Sequence, residues 1–80
     1  MVVEIKVFAS LRNFIPPSER YLGDDKWELP EGFKVEQVIE MLNIPIRQAK
    51  VLLINGRKAT SDCFLKENDV LHIFPPMCGG

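Results

Sequence analysis

Two cysteines, one histidine and no long apolar run set the first limits on this 80-residue chain. Cys63 and Cys78 match no zinc or redox spacing, and two cysteines are too few for a disulfide scaffold. Cys63 reads as a small, half-buried apolar residue. Cys78 reads as the occupant of a small-residue position, although it stands beside the chain's end, where thiol reactivity would turn on its local surroundings. His72 has no base partner in view and reads as a solvated surface residue, so neither a metal site nor a proton relay is expected. The formal charge of −1 gives no cationic excess, which argues against nucleic acid as a partner. The apolar runs are too short to cross a bilayer, so no membrane is expected either. Met1-Val2-Val3-Glu4-Ile5-Lys6 lacks the basic start and unbroken apolar stretch of a signal peptide, and a cytoplasmic location is expected. A single domain of this length buries only about 60% of the surface its unfolded chain exposes. So thin a core leaves little room for an enclosed catalytic cavity. It favours a carrier, binding module or subunit over a self-sufficient enzyme. Repeats, low-complexity segments and linkers are absent too.

What is present is clear periodicity. Val3, Ile5 and Val7 alternate with Glu4 and Lys6, which predicts a strand over Val2 to Phe8. Ser10 suits the cap of a short helix, Leu11 to Ile15, stopped by Pro16-Pro17. Ser18 to Asp25 is polar and predicts a surface loop. Lys26-Trp27-Glu28-Leu29 alternates again, with Trp27 and Leu29 inward, before the turn signal Pro30-Glu31-Gly32. Val35, Val38, Ile39 and Leu42 form one helical stripe, a core face and not a cofactor box. Asn43 and Pro45 suit its end, while Lys34 cannot cap its start. Ile46 to Lys50 reads as a further helical turn. Val51-Leu52-Leu53-Ile54 predicts a strand buried on both faces, or with one face against a partner, entering the turn Asn55-Gly56. A second turn, Lys66-Glu67-Asn68-Asp69, leads into the last strand, Val70 to Phe74. Asp62 and Asp69 suit turns. The predicted class is α+β: a mixed sheet with one main helix on one face. If the first and last strands lie side by side in its centre, the architecture is the ubiquitin-like β-grasp.

The end of the chain is the most informative segment. Pro75-Pro76 follows a strand and fixes an extended course. Met77, Cys78, Gly79 and Gly80 follow, and the two glycines make a tip without side chains that can thread a narrow channel. At an average glycine usage of about 7%, a chance diglycine at one fixed place arises roughly once in 200. The expected division is a domain over residues 1–74 and a flexible, extended tail over 75–80. The expected reactive group is the carboxylate of Gly80, with Gly79 giving passage and Pro75, Pro76 and Met77 setting direction. Phe74 falls out of register with the inward pair Leu71 and Ile73, so it is read either as an exposed anchor for a partner or as rim packing on its own domain. Arg12, Arg57 and Lys58 read as ordinary surface charges, although a basic rim could meet an acidic partner.

Four segments carry a family resemblance: Val7-Phe8-Ala9-Ser10-Leu11-Arg12, Ile54-Asn55-Gly56, Asn68-Asp69-Val70-Leu71-His72-Ile73-Phe74 and Pro75-Pro76-Met77-Cys78-Gly79-Gly80. Their order and spacing resemble the MoaD/ThiS family of ubiquitin-like sulfur carriers, and within it the small subunit of molybdopterin synthase. The departures are Cys78, where a small non-thiol is usual; Asn68, where glycine is usual; the missing threonine cap on the helix; and a longer loop over Pro16 to Asp25. The resemblance implies a non-catalytic carrier subunit with no cofactor of its own. An ATP-dependent activating enzyme (MoeB/ThiF-like) would adenylate the Gly80 carboxylate, and a sulfur donor would convert it to a thiocarboxylate. The large synthase subunit (MoaE-like) would then pass the sulfur to a pterin precursor for molybdenum or tungsten cofactor. The same tail suits a ubiquitin-like modifier joined to lysines, or a sulfur carrier for thiamine, cysteine or tRNA. An adaptor with an inert tail is the remaining alternative.

Overall fold

The computed structural model describes residues 1–8, 11 and 18–76. The short helix expected over Leu11 to Ile15, its Pro16-Pro17 stop, Arg12, and the tip Met77, Cys78, Gly79 and Gly80 fall wholly or largely outside the described residues. Among the described residues no helix is long and apolar enough to cross a membrane.

Strand β1, Val2–Val7, places Val3 and Ile5 in the core and turns Glu4 and Lys6 to the other side. Strand β6, Val70–Phe74, lies parallel beside it, in register from Glu4 opposite Val70 to Val7 opposite Ile73. The two ends of the described chain thus make the centre of the sheet, as the β-grasp arrangement requires. β3, Lys26–Glu28, flanks β1 antiparallel, with Trp27 opposite Val3. β4, Val51–Ile54, flanks β6 antiparallel, with Leu52 opposite Ile73. Two short edge strands, β2 (Tyr21–Gly23) and β5 (Arg57–Lys58), complete the order β2-β3-β1-β6-β4-β5 among the described residues.

Both edge strands escape sequence periodicity. β2, Tyr21–Gly23, lies inside the segment expected to be a polar loop. Three residues are too few to show alternation; the strand pairs antiparallel with β3, and Tyr21 tilts against its partner Trp27 at 5.1 Å between centroids. β5, Arg57–Lys58, follows the expected Asn55-Gly56 turn. Both turn residues have positive φ, 54° and 83°, the requirement of a two-residue hairpin of the type I′ kind. β4 also differs from the reading of a strand buried on both faces. Leu52 is buried, but Val51 and Leu53 are only half-buried on the open face.

Helix α1, Val35–Met41, covers the other face through Val35, Val38 and Ile39, with Leu42 buried just beyond it. Its uncapped start has a structural answer. The amides of Val35 and Glu36 donate to the carbonyls of Cys63 and Ser61 at 2.9 and 2.8 Å, and the Lys34 amide donates to Gln37 Oε1 at 2.8 Å. The connection before β6 thereby satisfies first-turn donors that a threonine cap would otherwise meet. Cys63 supplies its carbonyl there and packs its half-buried side chain on the core. At the other end Asn43 takes φ 62°, the left-handed stop expected of it. The further turn is shorter than expected, a 3₁₀ segment over Ile46–Gln48.

Two predictions arise here. Leu71 is fully buried at the sheet's centre, so Leu71→Ala should cost about 2–5 kcal/mol in a urea titration. Asn68 has φ 67°, and its amide donates to the Val2 carbonyl at 2.8 Å. Asn68→Gly should therefore change stability by less than about 0.5 kcal/mol, while Asn68→Val should cost roughly 1–2 kcal/mol, the penalty of a left-handed backbone for a β-branched side chain that lacks asparagine's tolerance of it.

Candidate functional site

The site is built where β1 and β6 end together. The Phe8 amide donates to the Ile73 carbonyl at 3.1 Å, and the Lys50 amide donates to the Phe74 carbonyl at 3.0 Å. The last two residues of β6 are therefore held one from each side, Ile73 by the residue that follows β1 and Phe74 by the residue that precedes β4, directly before Pro75-Pro76. Alternation puts Leu71 and Ile73 in the core and Val70, His72 and Phe74 on the open face. Phe74 is half-buried there, opposite Val51.

Three aromatic rings lie nearly parallel at this corner. Phe8 and Phe74 are 4.4 Å apart at an interplanar angle of 11°. Phe8 and His72 are 5.8 Å apart at 16°. His72 and Phe74 are 6.2 Å apart at 8°. His72 is half-buried, and its enclosed Nδ1 has no hydrogen-bond partner among the described residues. It serves here as a flat ring in the stack, more enclosed than the solvated histidine the sequence suggests. Phe8 remains 37% exposed. With Val51 and Leu53 alongside, these rings form an apolar band across β1, β6 and β4, on the strand that leads into the tail.

Toward β1 and β3 the open face becomes charged and internally paired. The Lys6 ammonium lies 3.3 Å from Glu4 and 3.5 Å from Asp25. The Glu4 carboxylate, and then that of Asp25, raise the Lys6 pKa above its ordinary value. These charges are paired with one another, which leaves the apolar band as the uncharged part of this stretch of the open face.

Phe74, Pro75 and Pro76 lie at the root of the tail, while Met77, Cys78, Gly79 and Gly80 lie outside the described residues. Phe8 was missed as a site residue, while Val51 and Leu53 entered only through the reading of their strand as one with a face against a partner. The signal for Phe8 was available: with Val7 inward, a period of two turns Phe8 outward, on the side that Phe74 occupies. The register bringing their rings together depends on parallel pairing between chain ends, which no local pattern encodes.

A mixed sheet with parallel central strands from opposite ends of the chain, one helix across it, and an exit from the last strand defines the ubiquitin-like β-grasp class. Solved structures agree. The crystal structure of SAMP1 from Haloferax volcanii superposes with a TM-score of 0.67 at 20% identity, covering 100% of both chains. A putative molybdopterin converting factor, subunit 1, from Pyrococcus furiosus gives 0.62 at 29% identity, over 95% of this chain and 98% of that one. No curated protein matches in sequence. The ThiS family model matches residues 5–80. The chain belongs to that family, the ubiquitin-like sulfur carriers of the MoaD/ThiS kind.

Proposed function

We propose that this chain is the small, sulfur-carrying subunit of a molybdopterin synthase. The observation that carries the reading is the aromatic band on the strand that runs into the tail, in a chain whose family match reaches Gly80. An enzyme that takes the tail would also meet Phe8 and Phe74. The similarity to the Pyrococcus furiosus converting-factor subunit supports the pterin pathway among the possible sulfur acceptors.

The chemistry follows from the acyl group. A carboxylate is a poor electrophile because its negative charge is delocalised over both oxygens. Attack of a Gly80 carboxylate oxygen on the α-phosphorus of ATP releases pyrophosphate and leaves an acyl adenylate. Hydrosulfide can then add to the carbonyl and expel AMP to leave a thiocarboxylate directly; a persulfide instead leaves an acyl disulfide, whose S–S bond a second thiol of the donor machinery cleaves, forming a new disulfide and freeing the thiocarboxylate. The large subunit would supply the pterin site and the proton-transfer groups. The carrier supplies the acyl carbon, a tip without side chains, and the face that positions it. Nucleotide and pterin sites both belong to partners, which suits a domain with so thin a core.

The test is reconstitution. Thiocarboxylated chain mixed with the large synthase subunit from its own host and the pterin precursor should yield the dithiolene product and return Gly80 as a carboxylate. Stable binding without sulfur transfer to the pterin would reject this acceptor.

A further inference from the structure

Charge is distributed unevenly along the chain. The sequence has ten lysines and arginines and eleven aspartates and glutamates. Residues 41–61 hold four of the cations, Arg47, Lys50, Arg57 and Lys58, and none of the acids. The rest of the chain therefore carries six cations against eleven acids.

The fold turns this one-sign segment into one flank of the sheet. It runs through the 3₁₀ turn, β4 and the edge strand β5. Lys50 stands at the root of the tail, its amide bonded to the Phe74 carbonyl. Lys58 is opposite Leu53, which is itself opposite His72 of the aromatic stack. From strand spacing and rise, the backbones of Lys58 and Phe74 are roughly 12 Å apart. All four cations are exposed. Among the described residues none is ion-paired, in contrast to Lys6 and the Met1 amino group on the other side of the sheet.

We propose that this basic flank docks on an acidic protein rim around the channel of the activating enzyme that receives the tail. The inference rests on the carrier reading. Complementarity sets the chemistry of the occupant: the matching surface is apolar where it covers Phe8 and Phe74, and anionic where it meets Lys58 on the same face and Lys50 and Arg57 along the adjoining edge. A protein surface fits that alternation better than a phosphate backbone, which the acids elsewhere on the chain would repel. Such a flank acts mainly on the encounter rate and on its dependence on salt.

The probe is the host's own ATP-dependent activating enzyme, with association to the full chain followed kinetically across ionic strengths. The variant Lys50→Glu/Arg57→Glu/Lys58→Glu should associate at least about tenfold more slowly at low salt, and the difference should vanish near 1 M salt, where the Debye length is about 3 Å. The corresponding triple change to glutamine should fall between the two, with a circular-dichroism melt like the parent's. Equal association rates and salt slopes for all three chains would overturn the proposal. If Phe74→Ala weakens binding while the charge variants do not, the docking face stands and this inference alone fails. A wild-type chain that does not bind the enzyme overturns both. Saturable binding of random-sequence single-stranded RNA, lost in the glutamate variant while enzyme association is unchanged, would overturn the proposal in favour of nucleic acid.

Discussion

Deleting Gly79 and Gly80 is expected to abolish sulfur transfer while leaving the domain folded. Among the described residues the last member of the buried core is Ile73, so the urea midpoint should match that of the full chain. The loss of function should be at least about a thousandfold, or more than about 4 kcal/mol of transition-state stabilisation. The reason is positional. Truncation leaves a carboxylate two residues short, on a cysteine whose side chain would have to enter a passage proposed to admit only glycine. Gly79→Ala separates the two contributions, because it keeps the length and the terminal carboxylate but adds one methyl group. A displacement of about 1 Å at a reacting centre costs up to about a hundredfold, so this variant should fall between wild type and the deletion. Single-turnover thiocarboxylate formation, followed by mass spectrometry, checks both. Full activity in the deletion would show that the tail is inert.

Phe74→Ala should weaken docking to the large subunit by roughly 30-fold or more, the effect of truncating a central aromatic anchor worth about 2 kcal/mol or more. Phe8→Ala should act on the same contact. Their rings stack at 4.4 Å, so the double variant should lose less than the two single losses combined, with a coupling of about 0.5–1.5 kcal/mol. Leu71→Ala is the control for stability. Leu71 is fully buried and presents nothing to a partner, so well below its melting point it should bind as wild type does. Calorimetric titration of the four chains gives the cycle. A Phe74→Ala chain with unchanged affinity would return Phe74 to rim packing on its own domain.

The core was legible in the sequence because its elements carry their own period. Val3, Ile5, Trp27, the α1 stripe, Leu71 and Ile73 can be assigned inward from alternation and helical spacing alone, and all are buried. Turns were legible where chemistry demands positive φ, as at Asn43, Asn55 and Asn68. What was lost is what two or three residues cannot signal. β2 and β5 exist because a neighbouring strand offers an unpaired edge, which is a tertiary fact. The helix start was illegible for the same reason: its donors are met by carbonyls of Ser61 and Cys63, more than twenty residues further along the chain. The tail root could be read from Phe74-Pro75-Pro76, and the outward turn of Phe74 from its parity with Ile73. The aromatic stack could not, since Phe8 and Phe74 meet only after the first and last strands pair.

Intact-mass analysis of the native chain, co-expressed with its activating enzyme and sulfur donor, tests the central claim most directly. The account predicts a population that ends at Gly80 and is heavier by the exchange of one oxygen for one sulfur, with that gain confined to the C-terminal fragment. A chain whose mass stays that of the free carboxylate under turnover, or whose Gly80 is recovered only in amide linkage to lysines of other proteins, would contradict it.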